Sequence, residues 1–328
     1  MPGCVTSTFS EPEDFAAALR AEGFLSLLIT SRGQFRAQLT RVSLNQMCLS
    51  AAEEQLPRIS FLTIPSHMVL VLFPIGRTAA QVCGGVRIQT GDLLTVGPGE
   101  RFHARTDGAC HWGIIGLPVS GFIRYSTALM GTALFPLPAL GRWQTSRATI
   151  THLRSLHAAA IRTAAKCPQV LVDTEAVRGL EQQLLHALVD CLSTGSADDG
   201  SRAKRRGRDV MARFERLLRS RPSAPASIPE ICAALEVSER HLRQLCALHL
   251  GMSPTTYDRL RRMSLVRCAL RRADPAPDSV SAVARQNGFH DLGRFAINYR
   301  AVFGELPSTT LHRGRDAHFK SCAYAETG

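Results

Sequence analysis

Three polar side chains at helical spacing carry the sharpest chemical signal in this sequence: Arg240, Arg243 and Gln244. Steps of three and four residues place them on one outward face near the start of a helix. An Arg guanidinium donates two parallel hydrogen bonds to guanine O6 and N7, and a Gln amide pairs with adenine N6 and N7. On the leading turns of a helix, such groups suit the reading of base edges in a major groove. Candidates for phosphate contacts stand around them: the Ser238 hydroxyl and the guanidinium groups of Arg261, Arg262, Arg294 and Arg300. A second outward set comes about fifty residues later, at Leu292, Gly293, Ala296 and Ile297. Its side chains have no donors or acceptors, which leaves thymine methyls or backbone shape to read.

Two helix-turn-helix patterns, 229–250 and 279–302, would position these groups. In the first, Ile231, Ala234 and Leu235 form the inner face of a short helix, and Glu236-Val237-Ser238 makes the turn. Ser238 is the N-cap of a second helix, with Leu242, Leu245 and Leu248 or His249 inward and Gly251 at its end. In the second pattern Val280, Val283 and Ala284 face inward, and Gln286-Asn287-Gly288 turns the chain. Phe289 packs inward, Asp291 caps, and Phe295, Tyr299 and Phe303 bury one side at four-residue steps. Between them Pro254–Arg272 reads as one helix. Its apolar side holds Tyr257, Leu260, Met263, Val266 and Leu270, and its other side Arg259, Arg261, Arg262, Arg267, Arg271 and Arg272.

Charge separates this region from the rest. Residues 201–315 hold 22 Lys and Arg against 10 Asp and Glu, while the other 213 residues hold 17 of each sign. A basic module beside a neutral one implies divided labour, the basic part holding a polyanion, with double-stranded DNA as the fitting partner.

Residues 208–313 resemble the DNA-binding domain of the AraC/XylS family of bacterial transcription regulators. The resemblance is carried by Val237-Ser238-Glu239-Arg240-His241-Leu242, by Gly251-Met252-Ser253-Pro254-Thr255-Thr256-Tyr257, and by Val283-Ala284 followed by Gly288-Phe289. It continues through Phe295-Ala296, Tyr299-Arg300, Phe303-Gly304 and Pro307-Ser308. It implies a seven-helix domain whose two recognition helices enter successive major grooves. Arg240, Arg243 and Gln244 fall on the base-reading positions of the first, and Leu292, Gly293, Ala296 and Ile297 on those of the second. Asp291-Leu292-Gly293-Arg294-Phe295 and Pro307-Ser308-Thr309-Thr310-Leu311 resemble a branch that includes ethanolamine-utilisation regulators. The resemblance further implies an effector-binding and dimerisation domain of small, cupin-like β-barrel type ahead of the DNA-binding domain, and RNA polymerase as a partner.

The residues before the linker agree with that expectation. Gln34–Val42, Gln46–Ser50, Ile59–Ile64, Met68–Phe73, 84–105 and His111–Leu117 read as short strands, with a helix over Glu11–Arg20. Thr149–Ala165 and Thr174–Cys191 read as amphipathic helices. The stripe on the second, Val177, Leu180, Leu184, Leu188 and Cys191, fits a dimer seam or packing on its own domain equally. The expected domains are 1–192, a linker at 193–207 and a DNA-binding domain at 208–315, giving an α+β protein of two domains.

The ten cysteines lie far apart without a Cys-x-x-Cys pair and read as reduced thiols in a cytoplasmic protein. The longest apolar run, Met68–Phe73, is far too short for a membrane helix, and the acidic Glu11, Glu13 and Asp14 do not suit a secretory signal. Three rival readings stand. A metal-dependent cupin enzyme would need His67, His103 and His111 to converge, and their spacing lacks His-x-His. A cysteine methyl-acceptor of DNA repair would need an activated thiol, which the surroundings of Cys48, Cys83 and Cys110 do not suggest. A non-specific architectural DNA protein would not need Arg and Gln at reading positions. The expectation is a non-enzymatic regulator, an activator, that needs no cofactor, forms a homodimer and responds to a small-molecule effector.

Overall fold

The computed structural model describes residues 2–76, 78–198, 202–221, 225, 227–272 and 279–314. The chain divides into two compact units: residues 1–27 with 35–209, and residues 28–34 with 210–328.

The first unit is built on antiparallel strands. In chain order these are β1 (Gly3–Phe9), β2 (Phe24–Ile29), β3 (Ala37–Ser43), β4 (Cys48–Glu54), β5 (Arg58–Thr63), β6 (Met68–Pro74), β7 (Gln81–Cys83), β8 (Val86–Ile88), β9 (Leu93–Val96), β10 (Arg101–Thr106), β11 (Cys110–Pro118), β12 (Leu140–Gln144) and β13 (Ser196–Asp198). Its helices are α1 (Pro12–Ala18), α2 (Val119–Met130), α3 (Arg147–Lys166) and α4 (Thr174–Thr194). The strands pair as two open sheets, in the orders β1-β3-β4-β11-β6-β9-β12-β13 and β2-β5-β10-β7-β8. Neither closes on itself, so the expected closed barrel is absent among the described residues. The smaller sheet ends in the three-residue strands β7 and β8, too short to carry a ladder around to its neighbour.

Helices α3 and α4 cover one face of the larger sheet. Leu153 and Ala160 of α3 and Leu184 and Leu188 of α4 share a core with Val71, Phe73 and Ile115 of β6 and β11. Close approach is needed there: a Cβ on Gly113 would lie 2.5 Å from the Phe73 ring and 3.0 Å from His157. The α4 stripe that could have been a dimer seam is therefore occupied inside its own unit, with Val177, Leu184, Leu188 and Cys191 all buried.

Between the sheets lies a second interior. Phe24 stacks on Trp112 at 5.9 Å, and the Arg58 guanidinium sits 5.5 Å above the Phe24 ring. Arg58 is wholly buried and donates to Glu54 at 2.5 Å and to Ser60, while the Trp112 indole donates to the same Glu54 carboxylate at 2.6 Å. A buried charge persists only when its partner and remaining hydrogen bonds are supplied in this way. Beside this group is a cavity of about 30 Å3, lined by Phe24, Arg58, Leu62, Cys83, Leu94 and Trp112 among others. It has room for about one water molecule.

Helix α5 (Arg202–Ser220) starts in the first unit and ends in the second, which from residue 210 is helical: α6 (Ile228–Leu235), α7 (Glu239–Leu250), α8 (Pro254–Arg272), α9 (Val280–Gln286) and α10 (Leu292–Phe303), with residues 307–314 also helical. Its buried apolar side chains include Phe214, Leu235, Leu242, Tyr257, Met263 and Val266, and further along the chain Val283, Ala284, Phe295, Tyr299 and Leu311. The described residues of the stretch 193–207, read from sequence as a linker, include the end of α4, β13 and the start of α5. Asp198 anchors it, lying 3.8 Å from Arg142 and 3.5 Å from Lys204.

Candidate nucleic-acid interface

The first helix-turn-helix is set by three local devices. Ser227 caps α6 by accepting from the Glu230 amide. At the other end Glu236 takes the left-handed conformation, φ 57°, so that its amide and that of Val237 close on Ala233 and Cys232 carbonyls. Ser238 then caps α7, its hydroxyl accepting from the His241 amide at 3.2 Å. With Leu242, Leu245, Cys246 and His249 buried, the helix has one rotational setting, and Arg240, Arg243 and Gln244 are all exposed on its outer face. His249 rather than Leu248 is the inward residue at the C-terminal end; Leu248 is exposed, as is Ala234 of α6. Arg243 is engaged already: Glu239, one turn earlier, accepts from its Nε at 2.9 Å and its Nη2 at 2.6 Å. The base-reading trio taken from sequence left out this carboxylate, although the Glu239–Arg243 spacing of four residues was there to find it.

The second unit repeats the plan with different chemistry. Ser279 caps α9, the Asn287 amide donates to the Val283 carbonyl, and Gly288 supplies φ 76° at the turn. Asp291 caps α10 by accepting from the Arg294 amide at 2.9 Å. An aromatic ladder fixes the inner side: Phe289, Phe295, Tyr299 and Phe303 follow one another at ring separations of 4.8, 5.6 and 4.6 Å. Ile297 is left 71% exposed, beside exposed Gly293 and half-buried Leu292 and Ala296. Arg294 and Arg300 are exposed on the same helix.

Two arginines expected at phosphates lie elsewhere. Arg261 and Arg262 are buried in α8, and so is Arg267. Arg261 reaches Glu215 of α5 at 3.6 Å, and Tyr257 donates to the same carboxylate at 2.8 Å. Burial, and then that carboxylate, hold the Tyr257 phenol well above its ordinary pKa. Arg262 donates to Asp258 at 2.9 Å and to the Asn287 carbonyl at 3.1 Å. Arg267 lies 3.6 Å from Glu305, which also accepts from Thr310 at 2.8 Å and sits 3.2 Å from Arg313. These guanidinium groups bind the domain together from within, because buried Glu215 and Asp258 and half-buried Glu305 sit against them. The outward charge of α8 rests on Arg259 and Arg272, with Arg271 half exposed.

The three histidines considered for a metal stand on separate elements. His67 precedes β6, His111 is half-buried in β11, and His103 is fully buried in β10 with its ring 4.8 Å from that of Phe61. Among the described residues, no group of three or more His, Cys, Asp or Glu is placed to hold a metal ion. Burial raises the Cys83 thiol to about 12, an inert setting. Cys110, beside Glu54, is pushed up further by burial and then by that carboxylate.

Two capped helices, each carried on the turn of a preceding helix and joined by α8, define a double helix-turn-helix domain. Comparison with known proteins gives the same result. A family model described as a helix-turn-helix domain matches residues 231–313. The XylDLEGF operon transcriptional activator of Pseudomonas putida is 38% identical over 87 residues, 26% of this chain and 27% of that protein. The HTH-type transcriptional activator RhaS of Pectobacterium carotovorum subsp. carotovorum (strain PC1) is 26% identical over 174 residues, 53% of this chain and 58% of that protein. The solved structure of the AraC-like transcriptional activator CuxR aligns over 81% of this chain and 95% of its own, at 14% identity and a TM-score of 0.45. The C-terminal domain is of the AraC/XylS type. The matching segment spans about a quarter of the length of the Pseudomonas relative.

Proposed function

We propose that the protein is a sequence-specific DNA-binding transcription regulator, an activator that places α7 and α10 in successive major grooves of promoter DNA. The observation that carries this reading is the α7 face: Arg240, Arg243 and Gln244 stand exposed together on the first turns of a helix whose rotation the core fixes. Ile297, with Leu292, Gly293 and Ala296, meets thymine methyls or groove shape from α10, and Arg294 and Arg300 meet phosphate. Two reading helices spaced by one turn of the duplex cover about 15–20 base pairs per monomer. In this reading the helical unit is a seven-helix domain, α5 to α10 with 307–314, and the sheets form a cupin-like sandwich that takes an effector or joins two chains. The α4 stripe is used internally, so a homodimer forms through another surface. RNA polymerase is the partner that activation requires, and the protein works in the cytoplasm without a cofactor. No helix among the described residues is long and apolar enough to cross a membrane.

The test is selection of bound duplexes from a random pool by the full chain at about 150 mM salt. Two preferred blocks one helical turn apart support the regulator. Tight, steeply salt-dependent binding without any preferred sequence would replace it with an architectural DNA-binding protein.

A further inference from the structure

The reading face of α7 carries a negative charge that three base readers do not explain. Glu239 is the first residue of the helix, where the helix dipole favours an anion, and its Oε1 accepts from both Nε and Nη2 of Arg243. In water an exposed pair four residues apart biases a side chain without locking it. Its geometry is what matters here. The carboxylate takes the Nε–Nη2 side of the guanidinium, so the Nη1 and outer Nη2 hydrogens form the free end. That end is a two-donor fork of the kind that matches guanine O6 and N7. The same carboxylate opposes the other use of an arginine, because a phosphate beside Arg243 would also lie beside Glu239. When the groove closes over the pair and water leaves, both the brace and the repulsion strengthen. Arg240 makes no ion pair among the described residues, so the brace acts on one reader and not on its neighbour.

We infer that Glu239 is a specificity-determining residue of the first recognition helix, holding Arg243 end-on for guanine and keeping it off the phosphate backbone. This rests on the regulator reading given above. The experiment is the same duplex selection with the full chain, run on the unaltered protein, Arg243→Ala, Glu239→Ala and Glu239→Gln, with the salt dependence of affinity measured on the selected site. The guanine position lost in Arg243→Ala identifies the base pair that Arg243 reads. At that pair Glu239→Ala lowers the guanine preference about tenfold and leaves the other positions unchanged. The freed arginine takes a phosphate, so the slope of log affinity against log salt steepens by about one. Glu239→Gln, which still accepts a hydrogen bond, recovers part of the preference. If Glu239→Ala keeps the full guanine preference, or weakens all positions equally, the inference is wrong while the regulator reading stands. If the unaltered protein selects no sequence, the regulator reading falls and the inference with it.

Discussion

Arg262 holds the second helix-turn-helix to the helix before it: its guanidinium lies 4.8 Å from the centre of the Phe289 ring while donating to Asp258 and to the Asn287 carbonyl. One side chain thus ties α8 to the turn that precedes α10. Arg262→Ala leaves Asp258 buried without its charge partner, which costs about 3–5 kcal/mol. Urea unfolding followed by far-ultraviolet circular dichroism should show the helical unit melting far earlier than in the unaltered protein. Replacing Arg262 with Met and Asp258 with Leu together removes both charges and should restore most of the loss. A single Arg262→Ala variant of ordinary stability, defective only on DNA, would mean the side chain reaches phosphate after all.

The two expectations for Arg261 and Arg262 went astray for a reason visible in the sequence distances. Asp258 lies one helical turn before Arg262 and was legible, but Glu215 and Glu305 come to Arg261 and Arg267 from other elements. Sequence periodicity places a side chain on a face; it does not say which carboxylate another helix brings to that face. The caps and the α7 face were legible because they depend on neighbours within four residues. In the sheet unit β3, β5 and β6 were legible from their apolar, β-branched runs, and β4, which has no β-branched residue, from the turn residues that bound it. β1 was not: Gly3–Phe9 is mostly small and polar, has no fully buried residue, and becomes a strand by pairing with β3. Likewise α2 buries only Phe122 and Ser126, too few to raise a helical period.

Ser238 has two roles that one substitution can separate. Its hydroxyl caps α7, and the same group faces the side expected to meet phosphate. Ser238→Ala should cost about 1 kcal/mol of stability and weaken DNA binding. Ser238→Asp caps equally well but brings a negative charge to the duplex. Its unfolding midpoint should stay near that of the unaltered protein while its affinity for DNA falls. Equal affinity for Ser238→Asp would confine Ser238 to capping.

Arg240 and Arg300 should divide in the way base and phosphate contacts divide. Arg240→Ala is expected to lose about 1–3 kcal/mol on the selected site and little on random duplex, relaxing preference at one base pair. Arg300→Ala should weaken both duplexes to a similar degree and lower the salt slope by about one. Competition binding on the two duplexes at several salt concentrations reads both quantities. Equal losses for Arg240→Ala on both duplexes would make it a phosphate contact.

His157 makes the stability of the sheet unit depend on pH. It is fully buried in α3 with its ring edge-on to Phe73 at 5.0 Å, and neither ring nitrogen has a hydrogen-bond partner of good geometry. Burial pushes its pKa from 6.5 down to about 4, against a partial pull upward from backbone groups of Ile114 and Ser50. His111 is lowered as well, by burial. A histidine held neutral in the native state costs nothing above its unfolded pKa. As pH falls from about 6.5 to about 4, the unfolded chain takes up a proton that the folded chain refuses, so stability declines across that window by up to about 3 kcal/mol. Both tryptophans, Trp112 and Trp143, lie in the sheet unit, so urea unfolding followed by tryptophan fluorescence reads this unit by itself. His157→Leu keeps the apolar contact with Phe73 and removes the titration. The difference in unfolding free energy between the variant and the unaltered protein should therefore move in the variant's favour between pH 7 and pH 4.5. A pH-independent difference would show that His157 titrates alike in the folded and unfolded chain.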